Sequence, residues 1–230
     1  MRFAEWEPVY EAVLADFGYG RGADERARDL LADLLSGPGL DPGRLDIADG
    51  TVAVAGAADR LDRDLALVRE ADAVVAASDA AARLRAHSLA VDCMVTDLDK
   101  APDTVRELTD EGTPVAVHAH GDNRAKLRSV VPDLDADAVI PTTQARPVAG
   151  VHNHGGFTDG DRAAFLADAL GAGGLVFPGW QFDDPSVSAE KRRKLGWAER
   201  LLYWLEQRRG EQFGVLAGRR EGLSVPESAR

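Results

Sequence analysis

The chain opens with two predicted amphipathic helices over residues 6–36. Apolar side chains recur at the spacing of one helix face, first at Val9 and Val13 and then along residues 27–35. The sequence Gly-Pro-Gly at residues 37–39 then ends the helical pattern, because neither residue type continues a helix well.

From residue 50 onward, short apolar runs alternate with helical patterns. The runs cover residues 52–55, 73–77, 91–95, 115–118, 139–140 and 175–177. Continuous runs of valine, alanine and isoleucine between helices are typical of parallel strands that are buried on both faces. The pattern predicts an α/β fold with a doubly wound, mostly parallel sheet, helices on both faces and an N-terminal helical extension. Ligands of such sheets bind beyond the carboxyl ends of the strands.

This pattern divides the chain into three parts. We predict an N-terminal helical region at residues 1–45, an α/β catalytic domain at residues 46–210 and a C-terminal tail at residues 211–230. The last long helix is expected at about residues 189–208, because Ser188 precedes the helical pattern there and offers a hydroxyl for its N-cap.

The surface charge disfavours some partners. Acidic residues outnumber basic residues by 39 to 27, which gives a net charge of -12. Such a surface repels nucleic acid and anionic membranes, and no block of lysine and arginine reverses its sign. The only lysines are Lys100, Lys126, Lys191 and Lys194. Many aspartates and few lysines indicate a halophilic protein that stays soluble in concentrated salt.

The location expected from the sequence is the cytoplasm. The single cysteine, Cys93, cannot form an internal disulfide, which favours a reducing compartment. The first residues form no apolar signal segment, and no run approaches the ~18 apolar residues that span a bilayer. We expect small-molecule partners, no nucleic acid and no membrane, and we leave open whether the chain forms a homo-oligomer.

The first candidate for chemistry is an apolar strand that ends in the motif VTDLD, residues 95–99. Asp97 and Asp99, two residues apart at a strand end, can direct oxygen ligands at one hard cation such as Mg²⁺. The alternative is that Asp99 caps the following helix, since a lone Asp-x-Asp pattern is common.

A second predicted strand is followed by the motif HAHGDN, residues 118–123. Its glycine permits a tight turn, and Asp122 or Asn123 offers a cap for the next helix. Two histidines separated by one residue also occur in zinc sites. Zinc is disfavoured here, because no third ligand lies at a typical spacing.

A third motif, HGGFTDGD at residues 154–161, precedes a helical pattern. Gly155 and Gly156 would expose backbone N–H groups to an anion such as a phosphate. The alternative is structural, because Thr158 and Asp161 have the spacing of a capping box.

The carboxylates of these motifs are expected to meet at one edge of the sheet. They follow three strand-like segments, and parallel strands gather their carboxyl ends at the same edge. The residues concerned are Asp97, Asp99, Asp122, Asp159 and Asp161. An acidic protein that binds an anionic nucleotide needs a bridging cation, which these carboxylates would hold.

Taken in order, the three motifs resemble those of the archaeal MptE-type 6-hydroxymethyl-7,8-dihydropterin pyrophosphokinases. The matching motifs are VTDLD, HAHGDN and GGFTDGDRA. The resemblance extends from Trp6 and residues 24–25 through residues 77–80 and 142–144 to the helix that carries Lys191 and Lys194, and it covers most of the chain. This family is distantly similar to the thiamin pyrophosphokinases.

Three positions depart from the family pattern. Only Gly56 follows the first predicted strand, where a glycine-rich loop is expected, and this also disfavours an NAD-binding fold. His154 stands in place of an expected phenylalanine, and Gln181 lies near an expected aspartate. The binding roles of the first loop and of residue 181 are therefore left open.

The resemblance implies transfer of diphosphate from ATP to the hydroxymethyl oxygen of a reduced pterin, with release of AMP. It implies Mg²⁺ as cofactor, held by Asp97 and Asp99, with Asp159 and Asp161 as further ligands or residues behind them. The predicted catalytic residues are Asp97, His120 and Asp122, and either of the last two is expected to lie nearest the attacking hydroxyl. The predicted nucleotide-binding residues are Gly155, Gly156, Thr158, Asp159, Asp161, Asn123, Lys191 and Lys194.

Three alternatives stay open. A thiamin pyrophosphokinase would differ only in its acceptor pocket, and a nucleotide-sugar-dependent transferase also uses an Asp-x-Asp motif. A regulatory module would bind the nucleotide without releasing AMP. The residue patterns do not determine whether a pterin product serves folate or methanopterin biosynthesis.

We expect the melting temperature of the protein to rise with added KCl, because salt screens the mutual repulsion of the excess carboxylates. Thermal unfolding followed by circular dichroism, from dilute to molar KCl, measures this. A melting temperature that falls with KCl would contradict the interpretation of the composition.

Overall fold

Six short strands form a single parallel sheet. The computed structural model describes residues 1–35 and 37–229. The strands are β1 Thr51–Ala55, β2 Ala73–Ala77, β3 Cys93–Thr96, β4 Val115–Ala119, β5 Val139–Thr143 and β6 Gly174–Val176. Their order in the sheet is β5-β4-β3-β2-β1-β6, and every neighbouring pair is parallel. Residues 36 and 230, which end the predicted second helix and the predicted tail, lie outside the described residues.

Helices cover both faces of this sheet. They are α1 Phe3–Phe17, α2 Arg21–Leu35, α3 Leu65–Glu70, α4 Ala80–Ala86, α5 Pro102–Asp110, α6 Arg124–Val130, α7 Asp159–Ala169 and α8 Ala189–Arg209. Helices α1, α7 and α8 pack on one face, and α2 to α6 pack on the other. The prediction of a doubly wound α/β fold is confirmed. Within the described ranges, no helix has the length and apolar character needed to cross a membrane.

The alternation of side chains along β1 explains why its sequence is apolar without interruption. Val52 and Val54 pack against the layer of α1, α7 and α8, whereas Ala53 and Ala55 pack against the opposite layer. Both faces of the strand are buried, so neither set of positions can be polar. Burial stabilises the folded state by about 1.5–3 kcal/mol for each valine side chain.

The predicted and observed strands differ mainly at their ends. Strand β5 continues to Thr143, beyond the predicted end at residue 140. The predicted strand stopped before Pro141 because proline lacks the backbone N–H that a central strand needs. Strand β5 lies at the edge of the sheet, where a missing N–H is tolerated. Cys93 begins β3 and is fully buried, as expected from its apolar surroundings.

The two N-terminal helices pack on opposite faces of the sheet. Trp6 of α1 is buried, and its Nε1 donates to the backbone carbonyl of Gln144 at 3.1 Å. Leu31 of α2 is buried in the opposite layer. The predicted domain boundaries at residues 45 and 210 stay a prediction.

The C-terminal helix begins at a capping serine, and the segment that follows it packs into the core. Helix α8 begins after Ser188, whose hydroxyl accepts a hydrogen bond from the backbone N of Lys191 at 3.1 Å, as predicted. Phe213 and Leu216, in the predicted tail, are both buried in the layer of α1, α7 and α8. The first part of the tail therefore belongs to the core.

The strand order also determines where a ligand is expected. From β1 the chain adds strands in one direction as far as β5, and it then returns to place β6 on the other side of β1. The connections diverge between β1 and β6. In open α/β sheets, ligands bind outside the carboxyl ends of the strands at such a switch point.

Candidate active site

A cavity of about 690 Å³ opens at the carboxyl edge of the sheet. Its wall contains residues that end or follow all six strands, together with the α1–α2 connection and the first turns of α7 and α8. Both its position and its size are typical of small-molecule sites. We therefore take this cavity as the candidate active site.

Two aspartates from different elements lie close together in the cavity wall. Asp97 follows β3, and Asp159 is the first residue of α7. Arg162, one turn later in α7, donates to Asp159 Oδ1 at 3.0 Å. The Nε2 atom of His120 lies 3.5 Å from Asp97 Oδ2. A guanidinium and an imidazole thus flank the two carboxylates.

The two carboxyl groups differ in their electrostatics. Burial and the neighbouring negative charge of Asp97 raise the pKa of Asp159 to about 7. Burial also acts to raise the pKa of Asp97, but its hydrogen bond with His120 and the positive charge of Arg162 outweigh this effect and hold that pKa well below its usual range. Close carboxylates whose pKa values move apart are a mark of functional sites, and a bound cation would relieve their repulsion.

The turn after β3 brings Asp99 to the cavity together with Asp97. The backbone N of Asp99 donates to Asp97 Oδ1 at 3.2 Å, and Leu98 between them has a positive φ of 66°. The N-cap position of α5 is occupied by Ala101, so Asp99 does not cap that helix. Both carboxylates of the VTDLD motif line the cavity.

Asn123 supports the site from behind. Its side-chain amide donates to the carbonyls of Asp97 at 2.9 Å and His118 at 2.7 Å. Its Oδ1 accepts from the backbone N of His120 at 3.0 Å, and the residue is buried. Its amide joins the loops after β3 and β4, and the nucleotide-binding role of Asn123 stays a prediction.

Asp161 is the cap of α7. Its oxygens accept hydrogen bonds from the backbone N of Phe157 at 2.5 Å, from the backbone N of Thr158 at 2.9 Å and from the Thr158 hydroxyl. Asp161 is 0% exposed and does not line the cavity. The capping-box alternative is the observed one. The cap uses both oxygens of Asp161, and the role of Asp161 as a metal or nucleotide ligand stays a prediction. Thr158 and Asp159 do line the cavity.

Gly155 and Gly156 shape the loop before α7 without lining the cavity. Their φ angles are 93° and 91°, in the region that glycine adopts readily. A Cβ on Gly156 would lie 2.6 Å from the backbone N of Arg162. The two glycines allow the loop to pass close to the first turn of α7, and their contact with nucleotide phosphates stays a prediction.

A chain of buried hydrogen bonds runs along the cavity wall to Asp159. Tyr10 Oη donates to Asp24 Oδ2 at 2.7 Å, and Gln144 Nε2 donates to the same oxygen at 2.8 Å. Arg162 Nη2 donates to Gln144 Oε1 at 3.2 Å, and Arg162 also binds Asp159. The sequence analysis missed Asp24, Gln144 and Arg162 as site residues, although all three lie in segments that carry the family resemblance.

Lysine, which is rare in this chain, is concentrated at the cavity. Lys100, Lys191 and Lys194 line it, whereas Lys126 is exposed on α6. Lys100 and Lys194 each pair with a neighbouring acidic side chain at 3.0 Å. The rarity of lysine in the sequence was the reason to predict Lys191 and Lys194 as site residues. The same reasoning did not select Lys100, which also lines the cavity.

The two residues predicted to lie near an attacking hydroxyl both line the cavity. His120 has both ring nitrogens engaged, since Nε2 faces Asp97 and Nδ1 accepts from the backbone N of Asp122 at 3.4 Å. The Asp122 side chain is exposed at the wall. His118, the first histidine of the motif, does not line the cavity, and its Nδ1 lies 3.1 Å from Thr142 Oγ1.

The loops after β1 and β6 touch at the switch point. The backbone N of Gly56 donates to Pro178 O at 2.9 Å, and a Cβ on Gly56 would lie 2.7 Å from Gly179 O. Only glycine fits at residue 56 without a shift of the backbone. Gly56 and Gln181 both line the cavity, so the two departures left open by the sequence belong to the candidate site.

The replacement Asp161→Asn is expected to lower the free energy of unfolding by about 1–3 kcal/mol, because a nitrogen would replace an oxygen that accepts from a buried N–H group. Asp99→Asn, the same exchange at an exposed position, is expected to change it by less than about 0.5 kcal/mol. Urea denaturation in metal-free buffer measures both values. Equal effects at the two positions would contradict the assignment of Asp161 as a helix cap.

Comparison with known proteins gives consistent matches. The model of the family described as "6-hydroxymethylpterin diphosphokinase MptE-like" matches residues 36–186. A 6-hydroxymethyl-7,8-dihydropterin pyrophosphokinase of Methanothermobacter thermautotrophicus is 38% identical and covers 90% of this chain and 96% of its own. Proteins with the same name from Pyrococcus furiosus and Methanocaldococcus jannaschii are 35% and 29% identical, each over 90% of this chain and over 95% and 97% of their own.

Proposed function

The chain belongs to the MptE-like family of 6-hydroxymethylpterin diphosphokinases, and we propose that it transfers diphosphate from ATP to the hydroxymethyl oxygen of 6-hydroxymethyl-7,8-dihydropterin, with AMP as the second product. Family membership makes the chain a diphosphokinase. The observation that carries the rest of the proposal is the cavity, where the close carboxylates of Asp97 and Asp159 lie among cationic side chains at the edge of the sheet.

Mg²⁺ fits the donor atoms of this cavity. Asp97, Asp99 and Asp159 line the wall with carboxylate oxygens, which Mg²⁺ prefers as ligands. Within residues 1–35 and 37–229, no three histidine, cysteine, aspartate or glutamate side chains are gathered as in a protein-only metal site. One or two carboxylates together with substrate phosphates hold Mg²⁺ in many phosphate-transfer sites. When bound, Mg²⁺ would neutralise charge on the phosphates.

The nucleotide phosphates are proposed to lie between the carboxylates and the switch point of the sheet. Lys100, Lys191 and Lys194 line the wall and offer positive charge to an anion. Ligands of open α/β sheets occupy the region beyond the switch point, where the loops after β1 and β6 present backbone atoms. These observations support a nucleotide there in spite of the net charge of -12.

Transfer requires the acceptor oxygen to approach the β-phosphorus of ATP opposite the AMP leaving group. We assign Asp122 as the residue nearest this hydroxyl, because its carboxylate is exposed at the wall beside His120. His120 contacts Asp97 through Nε2 and is proposed to keep that carboxylate oriented. In this proposal the protein acts by positioning the reactants and by compensating charge, more than by a strong base.

The alternatives differ in what they predict for product formation. A non-catalytic regulatory module does not agree with membership of a diphosphokinase family. A thiamin acceptor would require the same carboxylates but a different acceptor pocket. A nucleotide-sugar donor would release no AMP, so the reaction products separate all of these cases.

With ATP, Mg²⁺ and 6-hydroxymethyl-7,8-dihydropterin in high-salt buffer, we expect release of AMP that depends on the pterin. Asp97→Asn and Asp159→Asn are each expected to lower kcat on the order of 100-fold, because each removes a charge that organises the phosphates. Chromatographic detection of AMP and of the pterin diphosphate measures both effects. Asp103→Asn, at an exposed side chain outside the cavity, serves as the matched control.

Each outcome of this experiment has a distinct meaning. Full Mg²⁺-dependent turnover in both cavity variants would contradict the proposed roles of the carboxylates. AMP release with thiamin and not with the pterin would show that thiamin is the acceptor. Bound ATP without AMP release for any acceptor would contradict the proposed reaction.

Lys191→Gln is expected to raise the KM for ATP about tenfold, because a phosphate would lose one charge-assisted hydrogen bond. Lys126→Gln removes the same charge from an exposed position outside the cavity and is expected to leave this KM unchanged. Steady-state kinetics with saturating pterin measures both variants. Equal changes in KM would indicate a general effect of net charge and would contradict the phosphate contact.

A further inference from the structure

Asp24 is a buried carboxylate in the wall of the cavity that the proposed reaction does not use. It is 3% exposed and lies in α2. None of the lysine, arginine or histidine side chains in the described ranges forms a salt bridge with it. A buried carboxylate without a cationic partner costs free energy unless hydrogen bonds compensate. The hydrogen bonds of Asp24 therefore indicate what more it can bind.

The two oxygens of Asp24 are not equally occupied. Oδ2 accepts from Tyr10 Oη at 2.7 Å and from Gln144 Nε2 at 2.8 Å, which fills both of its lone-pair sites. Among the residues that the structure describes, only the backbone N of Gly121 donates to Oδ1, at 2.7 Å. One acceptor site on Oδ1 is thus left for an N–H donor in the cavity.

Gln144 places a hydrogen-bond donor beside this acceptor. Its Oε1 accepts from Arg162 Nη2 at 3.2 Å, and its Nε2 donates to Asp24. The amide cannot be reversed, because a guanidinium only donates and an ionised carboxylate only accepts. Within residues 1–35 and 37–229, Nε2 makes no second hydrogen bond, which leaves its other N–H for a ligand. The wall thus offers an acceptor and a donor side by side.

This part of the wall lies next to the proposed reaction centre and away from the switch point. Asp24 binds Gly121, which stands between His120 and Asp122. Through Gln144 and Arg162 it is connected to Asp159. The loops after β1 and β6, where the nucleotide is proposed, belong to the other side of the sheet order. A reactant beside Asp24 would therefore face the phosphates from the acceptor side.

Tyr19, in the connection between α1 and α2, adds a flat surface to the cavity. Its ring lines the cavity and stacks on Phe17, with ring centroids 5.3 Å apart and an angle of 22° between the planes. A supported aromatic ring is a suitable contact for a planar heterocycle.

We propose that Asp24 and Gln144 bind the pyrimidine edge of the pterin, with Asp24 Oδ1 accepting from the 2-amino group and Gln144 Nε2 donating to the ring carbonyl. Tyr19 contacts the ring face. This assignment rests on the proposed function, and it adds to it the group that selects the acceptor. It predicts that loss of the 2-amino donor weakens binding in the wild type and not in a variant without the Asp24 charge.

The test compares two probes on the full-length protein, namely 6-hydroxymethylpterin and 6-hydroxymethyllumazine, which carries a carbonyl in place of the 2-amino group. Fluorescence titration gives the dissociation constant of each probe. The wild type is expected to bind the pterin at least about tenfold more tightly than the lumazine. In Asp24→Asn this ratio is expected to fall to about one, while the dissociation constant of ATP changes by less than about twofold.

Tyr10→Phe is the matched control. It removes one hydrogen bond to Asp24 Oδ2 and leaves Oδ1 unchanged, so it is expected to lower stability and to keep the preference for the pterin. If Asp24→Asn does not fold, Asp24→Ser leaves space for water beside Gly121 and Gln144 and is measured in its place.

An unchanged ratio in the Asp24 variant, or no preference in the wild type, would overturn the assignment. So would an equal loss of preference in Tyr10→Phe, or a weakening of ATP binding in place of pterin binding. These results are separate from failure of the proposed function, because wild-type AMP release that depends on the pterin tests the reaction without reference to Asp24.

Discussion

The ion pair between Arg162 and Asp159 is the interaction on which the candidate site depends. Its side chains are only 7% and 13% exposed, so both charges are largely removed from water. Burial of single charges is costly, and here each charge compensates the other. Arg162 also acts on Asp97 and donates to Gln144. One guanidinium thus allows two carboxylates and a buried polar chain to share a small volume.

The backbone around Arg162 has to make room for this arrangement. Gly156 passes so close to the first turn of α7 that a side chain would meet the Arg162 backbone. Asp161, which directly precedes Arg162, stabilises the start of the helix as its cap. The glycines and the capping aspartate of this motif therefore position Asp159 at the cavity.

The sequence was sufficient to predict the fold and the edge of the sheet at which the cavity lies. Runs such as residues 73–77 are apolar because both faces of the strand are buried, and this signal is local. The placement of Asp97 and Asp99 at the cavity was predictable for the same reason, since they follow such a run, while their roles stay a prediction. Asp159 was found with its motif, while its role stays a prediction.

Other features depend on contacts that no local pattern contains. Asp24 meets Gln144 across 120 positions of the sequence, so their partnership arises only when α2 and β5 pack together. The choice between capping and ligation at Asp161 depends on whether its oxygens face Phe157 or the cavity. The side chain of Asn123 is of a type that often binds ligands, but its amide bridges two loops.

The contact between Gly56 and the loop at Gly179 has a consequence for how this enzyme can change. At that end of the cavity the wall is main chain against main chain, so point substitutions there disturb the framework before they alter recognition. The opposite end is built from side chains on separate elements. Side chains at that opposite end can be exchanged with less strain on the backbone, so a library that aims at a new substrate should be confined to it.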